Sequence, residues 1–195
     1  SVYANYPLSC TLLMGKYGAS SALIDQIVRG GNSAVGLGDK YVTTWAAGNE
    51  RNQTNSCSDT YGSIPPPAAA KNPIQVGASN TNDNSMTSFS SWGPTQDGRL
   101  KPTIVAGGCQ TTGDFGVKST DNSPVNAYKV LCGTSSATAA VAGGTALMLE
   151  KYRAAYSVSG NFWPSSAKAI LIQTASDFGN PGPDYQWGYG QARLQ

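Results

Sequence analysis

A run of short side chains, Cys132 to Leu149 (CGTSSATAAVAGGTALML), constrains this chain more than any other stretch. Between Ser135 and Thr145 only Val141 is larger than Thr, so the segment offers little surface for ordinary amphipathic packing. It reads as a buried helix, closely approached on all sides and running to about Tyr156.

Gly133 and Thr134 turn the chain sharply into that helix and leave Ser135 in its first turn. Backbone N–H groups there have no intrahelical partner, and the positive end of the helix dipole lies there too. A serine so placed presents its hydroxyl to a cleft while its own N–H points at an anion. Acyl transfer needs that pairing, because its tetrahedral intermediate carries an oxyanion. The plainer reading is that Ser135 only begins a helix, where Ser and Thr are favoured in any case.

The chain has 195 residues, enough for one domain with a sizeable core. Charged residues make up 12%, against about 25% in an ordinary soluble domain, and Ser, Thr, Asn and Gly supply much of the polar character. The 13 basic and 11 acidic residues are scattered without runs, so no footprint for nucleic acid or an anionic membrane is visible. Even Ala139 to Leu149 is too short to span a bilayer, and it holds Gly143 and Gly144. No signal peptide or initiator Met is present, and a start at Ser1 is what a cleavage would leave.

Cys10, Cys57, Cys109 and Cys132 lack the close pairing of a zinc site, and the chain has no histidine. Two disulfides in an oxidising, extracellular compartment fit this spacing, with three pairings open; the alternative is four buried thiols. Asn52-Gln53-Thr54 is a glycosylation sequon, meaningful only in a eukaryotic source.

In chain order, Val2 to Leu8 reads as a short strand, and Ser20 to Arg29 as a helix with Leu23, Ile24, Ile27 and Val28 at helical spacing. Gly30 to Lys40 is a loop, and Tyr41 to Ala47 a buried strand ending in Gly48-Asn49-Glu50. Binding sites gather at such strand ends in open α/β sheets. Asn49 either caps a turn or offers its amide to an oxyanion. Ile74 to Ala78 reads as a strand, as does Thr103 to Ala106, closed by Gly107-Gly108. Tyr128 to Leu131 pairs back as a hairpin, which brings Cys109 to Cys132 and leaves Cys10 with Cys57. A last helix, Ser165 to Thr174, is read with Ala169, Ile170, Ile172 and Gln173 packed and Lys168 solvated. The turn-rich tail Gly179 to Gly190 closes the domain.

Four separated stretches, and the ending as well, resemble one family, the subtilisin-like serine proteases. Gly133-Thr134-Ser135-Ser136-Ala137-Thr138 is similar to its nucleophile motif, and Ala46-Ala47-Gly48-Asn49-Glu50 to its oxyanion-hole strand end. Ile74-Gln75-Val76-Gly77-Ala78 resembles the next strand. Phe89-Ser90-Ser91-Trp92-Gly93-Pro94, continuing through Asp97-Gly98-Arg99-Leu100-Lys101-Pro102, resembles the run that follows it. Trp187-Gly188-Tyr189-Gly190 is similar to the closing segment. The resemblance covers about Tyr41 to Gln195 well and the first forty residues loosely.

It implies a three-layer α/β fold with a mostly parallel sheet and helices on both faces, the N-terminal part being missing from this chain. It implies Ser135 as acyl-forming nucleophile, with Asn49 and the Ser135 N–H holding the oxyanion. Ala46, Ala47 and Gly48 would wall the pocket for the residue before the scissile bond, beside Gly133. No cofactor is identifiable; calcium is common in the family, but no acidic cluster here has ligand spacing for it.

The family's base is a histidine oriented by an aspartate, and its order is Asp, His, Ser. With no histidine here, both are expected N-terminal to residue 1, on a separate chain or segment. Ala139 and Ala140 stand where the family has Pro and His, Thr103 where it has Asp, and Gly107 where it has Pro. The expected function is secreted serine endopeptidase, acting on peptide or protein substrates once that segment is bound. The rivals are a pseudoprotease serving as a binding module and a ligase on the same scaffold.

Overall fold

The computed structural model describes residues 12–31, 38–52, 61–122 and 126–194. The reading of Val2 to Leu8 as a strand and the pairing of Cys10 with Cys57 lie outside them. Helix α1 is Ala19–Arg29 and strand β1 is Thr44–Ala46, followed by β2 (Ile74–Asn80) and β3 (Ile104–Cys109). A hairpin of β4 (Val117–Thr120) and β5 (Tyr128–Leu131) leads into α2 (Thr134–Tyr156), and α3 (Pro164–Thr174) precedes the tail.

Strands β1, β2 and β3 form a parallel sheet in that order. Strand β2 is buried along its whole length, as a central strand covered on both faces must be. Side chains alternate across the sheet. Ile74, Val76 and Ala78 join Ile104 and Ala106 on one face, where Ala137 and Val141 of α2 and Ala167 and Leu171 of α3 cover them. On the other face Trp45, in register with Gln75, packs against Ile24 and Val28 of α1 and against Ala70. The result is an α/β fold with three layers and helices on both faces.

Strand β3 does not stop at Ala106: it runs through Gly107 and Gly108, with a bulge where Ser79 pairs with Gly107 but Asn80 with Cys109. Glycine is needed there for space. A Cβ on Gly108 would stand 2.6 Å from the Gly133 carbonyl oxygen and 2.8 Å from the Ala78 methyl. Those two glycines bring the end of β3 against the start of α2, and the Gly133 N–H donates to the Gly108 carbonyl at 3.0 Å. The Cys109–Cys132 disulfide joins the same two points across the β4–β5 hairpin. The tail lies along β3, with the Val105 N–H bonded to the Gly190 carbonyl and the Ala192 N–H to that of Val105.

Two helical faces differ from the sequence reading. Helix α2 is buried only along Thr134, Ala137, Val141 and Thr145, whereas Ala139, Ala140, Ala142 and Gly143 are exposed. The sheet covers one side of this small-residue helix, and nothing among the described residues covers the other. In α3 the packed residues are Pro164, Ala167 and Leu171, with Ile172 partly buried; Ala169, Ile170 and Gln173 are exposed. Lys168 is not solvated either: its ammonium donates to the carbonyls of Lys71 and Pro73, at 2.9 and 3.2 Å.

Lys101 is 3% exposed, and its Nζ has no hydrogen-bond partner among the described residues. Burial, reinforced by the nearby Lys168 and Arg99 charges, pulls its pKa down from an ordinary 10.5 to about 7. Between those values the unfolded chain binds the proton and the folded chain does not, so raising the pH through this window favours folding. The penalty is fully present below about pH 7. Replacing Lys101 with Met, which keeps the linear stem, is expected to raise stability at pH 6 and flatten its rise between pH 7 and 10. Urea unfolding midpoints across that range measure it, and an unchanged slope would contradict the assignment.

Candidate active site

Strand β1 ends where the chain must turn away from the sheet, and Gly48 makes the turn. Its φ is +109°, which L side chains rarely adopt, and a Cβ there would strike the Pro65 ring at 2.5 Å. The turn is held from outside by the FSSWGP run. The Ser91 N–H donates to the Gly48 carbonyl at 2.9 Å, and the Glu50 N–H donates to Ser91 Oγ at 3.0 Å. Arg51 adds a guanidinium that donates to the carbonyls of Thr87 and Ser88 and lies 3.8 Å from the Trp92 ring centroid. Asn49 thus sits on a fixed loop.

Helix α2 starts opposite this turn. Asn49 Oδ1 accepts two hydrogen bonds from Thr134, one from its N–H at 3.0 Å and one from its hydroxyl at 2.9 Å. The Thr134 hydroxyl oxygen in turn accepts from the Gly48 N–H at 3.3 Å. With the oxygen end of the amide engaged, the Nδ2 end faces the helix start. A Cβ built on Gly133 would lie 3.6 Å from Asn49 Nδ2 and 3.7 Å from the Ser135 nitrogen. The two N–H donors therefore flank one small space beside Gly133, and Ser135 is exposed next to it. Two nitrogen donors thus lie near one point at a helix N-terminus, where the partial positive charge favours an anion.

Of the residues read from the sequence, Ser135, Asn49, Gly48 and Gly133 come together here. Ala46 is half-buried on β1. Ala47 turns its methyl into a core cluster with Ile64 and Ala68, which leaves only its backbone for any wall of a cleft. Thr134 was read only as part of the turn, and its clasp on Asn49 spans 85 positions of sequence. The structure buries it to 1% exposure, and the sequence signalled only a hydroxyl residue at a helix start. Among the described residues no three Asp, Glu, Cys or His side chains gather as metal ligands. No described helix is long and apolar enough to cross a membrane.

The sequence profile of the subtilase family matches residues 7–190. The chain belongs to that family. It is 35% identical over 124 residues to the serine protease/ABC transporter B family protein tagA of Dictyostelium discoideum, covering 54% of this chain and 7% of that protein. An uncharacterised Aquifex aeolicus protein, aq_aa18, is 36% identical over 134 residues, covering 60% and 58%. Among solved structures, the Clostridium perfringens CspB protease superposes with a TM-score of 0.61 at 26% identity, over 73% of this chain and 29% of that one. A lanthipeptide protease gives 0.55 at 26% identity, over 78% and 48%. The chain thus spans only part of each of these proteins.

Replacing Thr134 with Val keeps the shape but removes the hydroxyl that links Gly48 and Asn49. Stability is expected to fall by about 1 kcal/mol. The side-chain amide resonances of Asn49 should shift in a ¹H–¹⁵N spectrum while the rest of the fold is retained, and an unmoved Asn49 amide would show that the clasp is not what orients it.

Proposed function

We propose that this chain is the nucleophile-bearing part of a serine endopeptidase of the subtilisin type, completed by a segment or chain that carries the catalytic Asp and His. The observation that carries the reading is that Asn49 Nδ2 and the Ser135 nitrogen both lie beside Gly133, with Ser135 itself exposed there. In the reaction, Ser135 Oγ attacks the substrate's peptide carbonyl carbon and gives its proton to the histidine of the completing segment. Asn49 Nδ2 and the Ser135 N–H hold the resulting oxyanion. Collapse expels the amine, which takes that proton, and leaves an acyl-enzyme; water then hydrolyses the ester and restores Ser135.

Two features support a completing segment. Strand β1 has a neighbour on one side only among the described residues. The exposed Ala139, Ala140, Ala142 and Gly143 form the face of α2 away from the described sheet. A completing segment would pair with the β1 edge and, through a further element, cover that face of α2. An extracellular setting is supported by the Cys109–Cys132 bond, since such bonds persist in oxidising compartments.

The absence of any histidine favours a second reading, a pseudoprotease that binds without cleaving. Fluorophosphonate labelling of the native protein, followed by denaturing mass spectrometry of every chain present, separates the two. Label on Ser135, lost in Ser135→Ala, together with a histidine-bearing segment is the expected result. No label, with this chain alone present, would replace the protease reading with the pseudoprotease. In the assembled enzyme Asn49→Leu is expected to lower kcat by about 10²- to 10³-fold with little change in KM, a size taken from other enzymes of this kind rather than from this geometry. Steady-state peptide hydrolysis measures it.

A further inference from the structure

The far end of the sheet holds a second concave feature, remote from Ser135. Lys71 and Asn72 precede the first residue of β2, whereas Gly48 and Asn49 follow the last residue of β1. The register of Thr44 with Ile74 puts Asn72 and Gly48 six strand positions apart, roughly 20 Å along the strands. At this end a cavity of about 320 Å³ is bounded by Arg29, Lys40, Lys71, Lys168, Asn72 and Ser165. Four of the chain's 13 basic residues thus line one cavity, in a molecule whose net charge is only +2.

The three lysines are held in place without carboxylate partners. Lys40 Nζ lies 3.3 Å from the Trp163 ring centroid and Lys71 Nζ 4.8 Å from that of Tyr17. Neither contact uses an N–H of the ammonium as a conventional hydrogen bond. Lys168 spends two of its three donors on the carbonyls of Lys71 and Pro73 and keeps one. Burial, then the Arg99 charge, works against its protonated form, with Asp25 the only opposing influence.

Asp25 is the nearby carboxylate, and its oxygens are already taken by the N–H groups of Lys71 and Asn72 and by the Tyr17 hydroxyl. The only ion pair among the described residues is Arg99 with Asp97. Helix α3 adds its N-terminus, with Pro164 and Ser165 on the cavity wall and no side chain capping it. Four cations, three of them anchored, a neutral amide, a hydroxyl and an uncapped positive helix end form an environment that an anion would neutralise.

We propose that this cavity is a phosphate-group site, taking inorganic phosphate or the phosphate of a small organic molecule. A doubly charged tetrahedral anion suits the set better than a carboxylate, because the donors surround it from three elements, α1, α3 and the approach to β2. The volume is at the small end of ligand sites and leaves room beside a phosphate for a few further atoms.

The test is calorimetric titration of the full protein that carries this chain, with inorganic phosphate and with glycerol phosphate, in chloride buffers of equal ionic strength. The exposed pair Arg29→Gln/Lys71→Gln is compared with a control pair on the hairpin, Lys118→Gln/Lys129→Gln. Saturable 1:1 binding, weakened about tenfold or more by the first pair and unchanged by the second, is expected. Tighter binding of glycerol phosphate assigns the site to an organic phosphate, and equal binding to the phosphate group alone. No saturable binding of either, or equal weakening by both pairs, would overturn the proposal. Because the readout is heat of binding, it is independent of whether Ser135 cleaves peptides.

Discussion

The clasp between Asn49 and Thr134 is the contact on which the site depends. One residue ends a strand and the other starts a helix 85 positions later, and a single amide oxygen takes both donors of Thr134. An amide held at one end has only its other end to offer, so the orientation of Nδ2 follows from bonds made on the far side of the group. The geometry is fixed before any substrate arrives, and a preorganised donor costs no rearrangement as charge develops. The glycines are the necessary complement. Gly48 lets the chain turn off the sheet, and Gly108 lets β3 approach Gly133 closely enough to fix where the helix begins.

Much of the candidate site was legible in the sequence, because its parts are short segments with unusual local demands. A helix start made of Gly133, Thr134 and Ser135, and a strand end made of Ala47, Gly48 and Asn49, each carry residue types that backbone geometry dictates. What joins them was not legible. Whether the Asn49 amide points one way or the other depends on Thr134, and no periodicity relates positions so far apart. The same limit explains β3. A Gly-Gly pair commonly ends a strand, and only the nearness of the Gly133 carbonyl and the Ala78 methyl makes glycine necessary inside one.

The helical faces show a second kind of limit. For α2, a run of small side chains signals close approach but not from how many sides, and the described sheet supplies one. For α3, Ile170 looked like core and Lys168 like surface, yet Ile170 is 44% exposed while Lys168 reaches two carbonyls. Hydrophobicity ranks side chains without knowing what stands opposite them. A long aliphatic stem with three donors can settle over a strand end that presents free carbonyls, whereas an isoleucine has no such use there.

Strand β2 ties these observations together, since it passes from one functional end of the sheet to the other. Its last residues stand level with the Gly48 turn, and the residues before it carry Lys71 and Asn72 into the basic cavity. Parallel strands create this division by their direction. Helix α2 starts at the carboxyl ends of the strands, where its N–H groups serve the site at Ser135. Helix α3, returning to the opposite end, starts beside the lysines. Each helix thus turns its positive end toward a different edge of one sheet. The first edge carries Asn49 and no cation of its own among the residues at Gly133, as suits an anion that exists only in a transition state. The second gathers four basic side chains, as the proposed phosphate-group site requires.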